Sequence, residues 1–245
     1  MNKFSLDIVI PTLGRPEKLA RAVRSIDKAV QYMTETGAND VAVRTVIVHD
    51  TARKQVFGVW NDYCATTFAD SNTYSPSAMA YVCDDIEFEI QAIKVAVDTF
   101  RQKFPDTDGV LGFNQRNIPK DTEGFSQSAM GMIGSAFMDR YRFAIGRDAN
   151  NRSQYAPPRP FCPDYIAFCA DAELGLFARF VNRFIFAKEA ALHHYHPAHC
   201  PNEMDETHKI NRNAAVKAND KPTWRKRQEL GLLWGRHSKL VNGKR

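Results

Sequence analysis

Leu6-Asp7-Ile8-Val9-Ile10-Pro11-Thr12-Leu13-Gly14-Arg15-Pro16 is the stretch on which the reading of this chain turns. Its first five residues form a short apolar run, interrupted only by Asp7, and read as a buried strand ended by Pro11. Pro16 stands where a first helical turn tolerates proline. Beyond it Leu19, Ala22, Val23, Ile26 and Val30 keep helical spacing. A strand that runs through a tight loop into a helix is the unit of an α/β fold. The pattern then repeats. A second strand is expected from Val41 to Val48, ending in His49-Asp50, and a third from Ala78 to Val82, ending in Cys83-Asp84-Asp85. Ile90, Ile93, Val97, Phe100 and Phe104 mark an amphipathic helix, and Val110 to Phe113 a fourth strand. The order strand, helix, strand, strand, helix, strand predicts an α/β fold, a mainly parallel mixed sheet flanked by helices.

The second half is less regular. Residues 114–160 are rich in Gly, Ser, Asn, Arg and Pro and read as a long functional loop region. After it a helix is expected over Asp171 to Val181, then strands over Phe184 to Ala187 and Ala190 to Tyr195. Composition agrees with one folded unit. The chain has 245 residues, with 44% hydrophobic and 25% charged side chains, so collagen-like and wholly disordered classes are excluded. No apolar run reaches the roughly eighteen residues of a spanning helix, and the N-terminus has too short an apolar stretch for a signal peptide. Cys64, Cys83, Cys162, Cys169 and Cys200 are scattered and form no C-x-x-C pair, so reduced thiols, a cytoplasmic setting and no membrane are expected.

Charge divides the chain. Residues 221–245 hold Lys221, Arg225, Lys226, Arg227, Arg236, Lys239, Lys244 and Arg245 against Glu229, a net +7 that leaves −2 for residues 1–220 of the overall +5. The expected organisation is one domain over 1–220 and a basic tail or helix over 221–245. With Trp224 and Trp234 interleaved, the tail suits phosphate backbones and exposed bases; the other reading is a solvated or packed C-terminal helix.

Ligands of open α/β sheets bind at the carboxyl ends of strands, and three candidate groups fall there. Arg15 offers a guanidinium fork for a diphosphate. Asp50 either accepts a hydrogen bond from a nucleobase or ribose, or caps the next segment. Asp84 and Asp85 are adjacent carboxylates that repel each other unless a cation neutralises them, and hard oxygen ligands beside a diphosphate suit Mg²⁺ or Mn²⁺. Capping of the following helix by one of them is the structural alternative. In His193-His194-Tyr195-His196, strand alternation puts His194 and His196 on one side, which invites metal ligation; zinc is disfavoured without H-E-x-x-H. Asp171 and Glu173 stand at a helix start, where the dipole favours carboxylates and where one of them could serve as a general base.

Taken together these residues resemble the nucleotide-sugar glycosyltransferases of the A-type fold, in the large family-two-like group. Ile8 to Thr12 with Gly14-Arg15-Pro16 resembles that family's opening strand and nucleotide loop. Cys83-Asp84-Asp85-Ile86 resembles its D-x-D motif, with Cys83 in place of the first acid. Gly134-Ser135-Ala136-Phe137 resembles the segment beside the sugar and acceptor pocket. Asp171-Ala172-Glu173-Leu174 and His194-x-His196-Pro197 resemble its acidic motif and late histidine. The resemblance covers roughly residues 5–200. It implies a nucleoside-diphosphate sugar held by Pro11, Thr12, Arg15, Asp50 and Asp84, with Mn²⁺ or Mg²⁺ on Asp85 and His196. Asp171 would be the base if the anomeric centre is inverted. The acceptor is open among glycan, protein, small molecule and modified DNA base. A nucleotidyltransferase, or a nucleic-acid-binding module built on the tail, are the competing classes.

Overall fold

The computed structural model describes residues 3–69, 75–118, 128–147, 150–151, 153–211 and 214–235. Of the basic tail, Arg236, Lys239, Lys244 and Arg245 lie outside the described residues, as do residues 119–127, 148–149 and 152 of the expected loop region.

The expected α/β architecture is present. β1 (Phe4–Thr12), β2 (Val41–His49), β3 (Ala78–Tyr81), β4 (Ile86–Phe88), β5 (Val110–Gln115), β6 (Gly131–Gly134) and β9 (Phe184–His194) form one mixed sheet in the order β2-β1-β3-β6-β5-β9-β4. β1, β2, β3, β5 and β9 point one way, and β6 and β4 run against them. β7 (Ala144–Arg147) and β8 (Ser153–Tyr155) make a separate hairpin. The helices are α1 (Pro16–Glu35), α2 (Gln55–Thr67), α3 (Ala92–Lys103), α4 (Ser135–Met138), α5 (Ala170–Phe180), α6 (Glu206–Asn211) and α7 (Ala214–Glu229). Among the described residues no helix is long and apolar enough to cross a membrane.

β1 is mostly apolar because both its faces are covered. Leu6, Ile8 and Ile10 enter the core under α1 and α3, while Val9 enters a second core with Phe57 and Trp60 of α2. Asp7, fully buried between them, is held by Arg44 through Nε at 3.0 Å and by the Tyr63 hydroxyl. The strand does not stop at Pro11 as expected. The even residues of β1 face β2, as the Phe4 N–H to Asp40 O bond of 3.0 Å shows, so Pro11 turns its missing N–H toward β3, whose ladder ends with Val82 N–H on Val9 O. No ladder bond is lost, and pairing on β2 continues to Thr12.

Several elements differ from the sequence expectation. α2 was not anticipated, and neither were β4 and β6. The strands expected over 184–187 and 190–195 are one strand, β9, whose register with β5 jumps from Phe113↔Ala187 to Asn114↔Ala191. The loop region supplies the central strand β6. The stretch Gly134-Ser135-Ala136-Phe137 sits at the wrong end of the sheet for a sugar pocket. β6 runs antiparallel, so Gly134 pairs with Ala78 at the start of β3 and Phe137 is buried. It is the beginning of β6, not its end, that reaches the carboxyl edge of the parallel strands.

Gly131 allows that central placement. A Cβ there would stand 2.1 Å from the Leu111 carbonyl oxygen and 2.8 Å from the Tyr81 hydroxyl. Gly131→Ala is therefore expected to destabilise by about 1–3 kcal/mol through overpacking. A lowered urea midpoint with unchanged m-value is the expected result; an unchanged midpoint would mean that β6 yields freely.

Position 220, the expected boundary, falls inside α7. Asp220 is fully buried, and Trp224, Leu233 and Trp234 pack against the second core.

Candidate active site

Gly14, at φ +72°, turns the chain out of β1, and Pro16 opens α1 directly after Arg15. This turn brings Thr12 and Arg15 against the end of β3. Asp84, fully buried, accepts the Thr12 hydroxyl at 2.7 Å and Arg15 Nε at 3.1 Å, and Arg15 Nη2 closes on its other oxygen. Burial pushes the Asp84 carboxyl up, against the pull of Arg15. Asp84 is thus a brace between the 11–15 turn and β3, with both oxygens engaged inside the fold.

Asp85, the next residue in the bend beyond β3, meets a different set of partners. Its Oδ2 lies 3.0 Å from His208 Nε2 and 3.7 Å from Arg15 Nη1, and its Oδ1 lies 3.4 Å from His194 Nε2. Burial alone would raise this carboxyl, but His194, His208 and Arg15 hold it well below the usual range. Oδ1 is buried and, among the described residues, makes no well-formed hydrogen bond.

His194 explains why that oxygen matters. Its Nδ1 lies 2.7 Å from Gln115 Oε1, and with that amide oxygen as acceptor the ring proton sits on Nδ1. His194 Nε2 then faces Asp85 Oδ1 at 3.4 Å, a nitrogen and a carboxylate oxygen that can share either a proton or a metal cation. His196 shares this side, as expected, with its ring 5.3 Å from His194 and 5.5 Å from His208. His193 faces away, 3.9 Å from Glu89. Among the described residues no three His, Cys, Asp or Glu side chains already stand at metal-cage spacing. The Cys83 thiol, beside this cluster, is pushed well up by burial and by the neighbouring carboxylates, so it does not supply a first acid.

His208 and Asp205 escaped the sequence reading. They arrive on the segment that follows β9 and doubles back over α1. Lys18 bonds Asp205 at 2.7 Å and the Glu203 carbonyl at 2.6 Å, Arg21 bonds Glu203 at 3.0 Å, and Asp205 accepts the His208 backbone N–H at 3.0 Å. That last bond is a helix-start cap, the one signal in the sequence that could have flagged the pair.

Arg15, Asp85, His194, His196 and His208 line a cavity of about 580 Å³. Asp171 lines it too, in the first turn of α5, with Phe168, Cys169 and Lys221. Val56, Phe57 and Trp60 of α2 and Met130 ahead of β6 form apolar wall. The Asp171 backbone is fixed by the Ser128 hydroxyl, which donates to its carbonyl at 2.9 Å. Glu173, the other candidate base, is sealed in the core by Arg227, Tyr165 and Trp234.

Asp50 is not part of this cavity. Its two oxygens accept the backbone N–H groups of Lys54 at 2.8 Å and Gln55 at 2.9 Å, capping the start of α2, and it lines a smaller cavity of about 350 Å³ with His49 and Tyr63. The structure therefore joins Thr12, Arg15, Asp84, Asp85, His196 and Asp171 at one edge, and leaves Asp50 on the neighbouring one. Of the tail residues read as nucleic-acid contacts, Trp234 bonds the Arg159 carbonyl through Nε1 at 2.7 Å and packs at a tilt against Phe143, and Arg227 is bound to Glu173.

Fold and site together define an α/β protein with a carboxylate–imidazole cluster at the carboxyl edge of its sheet. No family model matches the sequence, and no curated protein matches it. Among solved structures, it is similar to a mutant of Drosophila β-1,4-galactosyltransferase 7 in complex with manganese, UDP-Gal and xylobiose, at 11% identity and a TM-score of 0.46, over 86% of this chain and 80% of that one. It is also similar to Staphylococcus aureus TarS in complex with UDP, at 11% identity and a TM-score of 0.47, over 93% of this chain and 78% of that one. Likeness of this degree assigns no residue and no substrate.

Proposed function

We propose that the chain is a glycosyltransferase that moves a sugar from a nucleoside-diphosphate sugar to an acceptor hydroxyl. The observation that carries the reading is the buried Asp85 Oδ1 facing His194 Nε2 in a cavity that Asp171 also lines. A cation-seeking cluster and a second carboxylate in one cavity are what transfer from a diphosphate needs.

Asp85 and His196 would hold Mn²⁺ or Mg²⁺, with His194 and His208 beside them. When bound, the ion would neutralise charge growing on the leaving diphosphate. Arg15, kept in place by Asp84, presents Nη1 toward the same point and adds fixed positive charge there. Pro11 and Thr12 form the nucleotide side of the turn. Asp171 takes the proton of the acceptor hydroxyl, or of water in its absence. The acceptor remains a hydroxyl compound: glycan, protein, small molecule or modified DNA base. For the last, Lys221, Arg225 and Lys226 are the described tail cations not committed to the core.

The test is binding and hydrolysis. Nucleoside diphosphates should raise the melting temperature more with Mn²⁺ than without, and the matching nucleotide sugar should be slowly hydrolysed with no acceptor present. Asp85→Asn should lower the Mn²⁺-dependent nucleotide affinity at least about tenfold by calorimetry, about 1.4 kcal/mol. Affinity unchanged by either the ion or the substitution would sink the metal-dependent reading. Binding without hydrolysis would favour a nucleotide-binding module.

A further inference from the structure

Ile166, Ala167 and Phe168 form a ribbon between Tyr165 and the start of α5, and Ala167 and Phe168 lie on the cavity wall. A ribbon with no sheet or helix partner needs its N–H groups satisfied elsewhere. All three go to one side chain. Asp220, fully buried on α7, accepts the N–H of Ile166 on Oδ1 at 2.8 Å, and those of Ala167 and Phe168 on Oδ2 at 2.8 and 2.7 Å. Asn219 reinforces the grip, donating to Asp220 Oδ1 at 2.8 Å and to the Asp164 carbonyl at 3.1 Å. The ribbon then enters Cys169, which caps α5 at φ +75°, a left-handed conformation that a non-glycine residue adopts only when its surroundings impose it. Asp171 follows two residues later.

We propose that Asp220 is a positioning residue for the transfer site: through these three bonds the C-terminal helix sets the wall that faces the acceptor and aims Asp171 into the cavity. The inference rests on the glycosyltransferase reading and extends it, because it makes α7 part of the active site. Lys221, the next residue on the helix, already lines the same cavity. Arg15 and Asp85 make no contact with this ribbon among the described bonds, so the donor side should stay intact when it loosens.

Asp220→Asn is the sharp probe. The shape is kept, but in either orientation the amide nitrogen faces at least one N–H that needs an acceptor. Full-length protein should show faster amide exchange at residues 166–168. Hydrolysis of the nucleotide sugar should fall about tenfold or more in kcat, with KM for the donor and nucleoside diphosphate affinity within about twofold of wild type. Asn219→Ala, which removes the bonds that reinforce the grip and leaves the Asp220 carboxylate itself, is expected to give the same split in milder form and serves if the Asn variant does not fold. Faster exchange with unchanged kcat would overturn the proposal. So would equal losses in kcat and donor affinity, the mark of a merely structural role. Wild-type protein that neither binds nor hydrolyses nucleotide sugars would instead overturn the underlying reading, and this inference with it.

Discussion

Asp171→Asn is expected to slow transfer, measured as donor hydrolysis or on an acceptor, by about 10²–10⁴ while donor affinity stays within about twofold. The substitution keeps volume and hydrogen-bonding shape but removes the group that can take a proton. Position supports the role. Asp171 stands on the cavity wall in the first turn of α5, and its backbone is held by Ser128. Glu173, its neighbour two residues on, cannot substitute, because it is fully buried and bound by Arg227 and Tyr165. A loss confined to kcat would place Asp171 on the acceptor side. Wild-type turnover in the variant would refute the role and favour a mechanism that retains the anomeric configuration without a base. Reduced donor affinity in proportion to kcat would move Asp171 to the donor side.

How much of this was legible in the sequence depends on the physics of each element. β1 and α1 were plain: a strand covered on both faces reads as a continuous apolar run, and α1 shows its period at Leu19, Ala22, Val23 and Ile26. α2 was not. Val56, Phe57, Val59, Trp60 and Cys64 do share one side of that helix, but buried Asn61, which bonds the Phe161 backbone, interrupts the stripe, and the N-cap residue Lys54 brings no side-chain cap to mark the start. β6 was hidden because half of its four residues are glycine, chosen by close backbone approach rather than by β-propensity. At the site, alternation correctly paired His194 with His196. It could not say which of Asp84 and Asp85 would be consumed by Arg15, since the side chains are chemically identical and only the 11–15 turn decides. His208 comes from beyond the β9 histidines, through a chain reversal fastened by Lys18 and Arg21, and no local pattern records a contact with Asp85 across 123 positions. Asp50 shows the reverse problem. A carboxylate at a strand end and a carboxylate capping the next helix have the same sequence, and here the cap is what forms.

Arg227→Ala is expected to cost about 3–5 kcal/mol of stability, the usual result of removing one partner from a buried ion pair. Arg227 Nη2 bonds Glu173 Oε1 at 2.7 Å, Nε bonds Oε2 at 2.9 Å, and Nη1 reaches Asp164 at 2.8 Å. The Glu173 side chain is wholly inaccessible, and its remaining partners are the Tyr165 hydroxyl at 2.7 Å and the Trp234 backbone N–H at 2.5 Å. Take away the guanidinium and a carboxylate is left in the core with two neutral donors. A lower denaturant midpoint of that size is the expected result; a loss below about 1 kcal/mol would mean that water reaches Glu173. The same geometry changes how the basic tail should be tested for polyanion binding. Deleting residues 221–245 would remove Arg227 and Trp234 together with the exposed cations, so lost DNA binding in such a truncation would report unfolding of α7 as readily as lost charge. Arg225 and Lys226 are exposed and bound to nothing in the core, so neutralising them leaves the fold alone. If phosphate backbones bind this surface, Arg225→Gln with Lys226→Gln should flatten the salt dependence by up to about two phosphate contacts. A slope unchanged by that double substitution would assign the charge of this helix to solubility and its buried side chains to the fold.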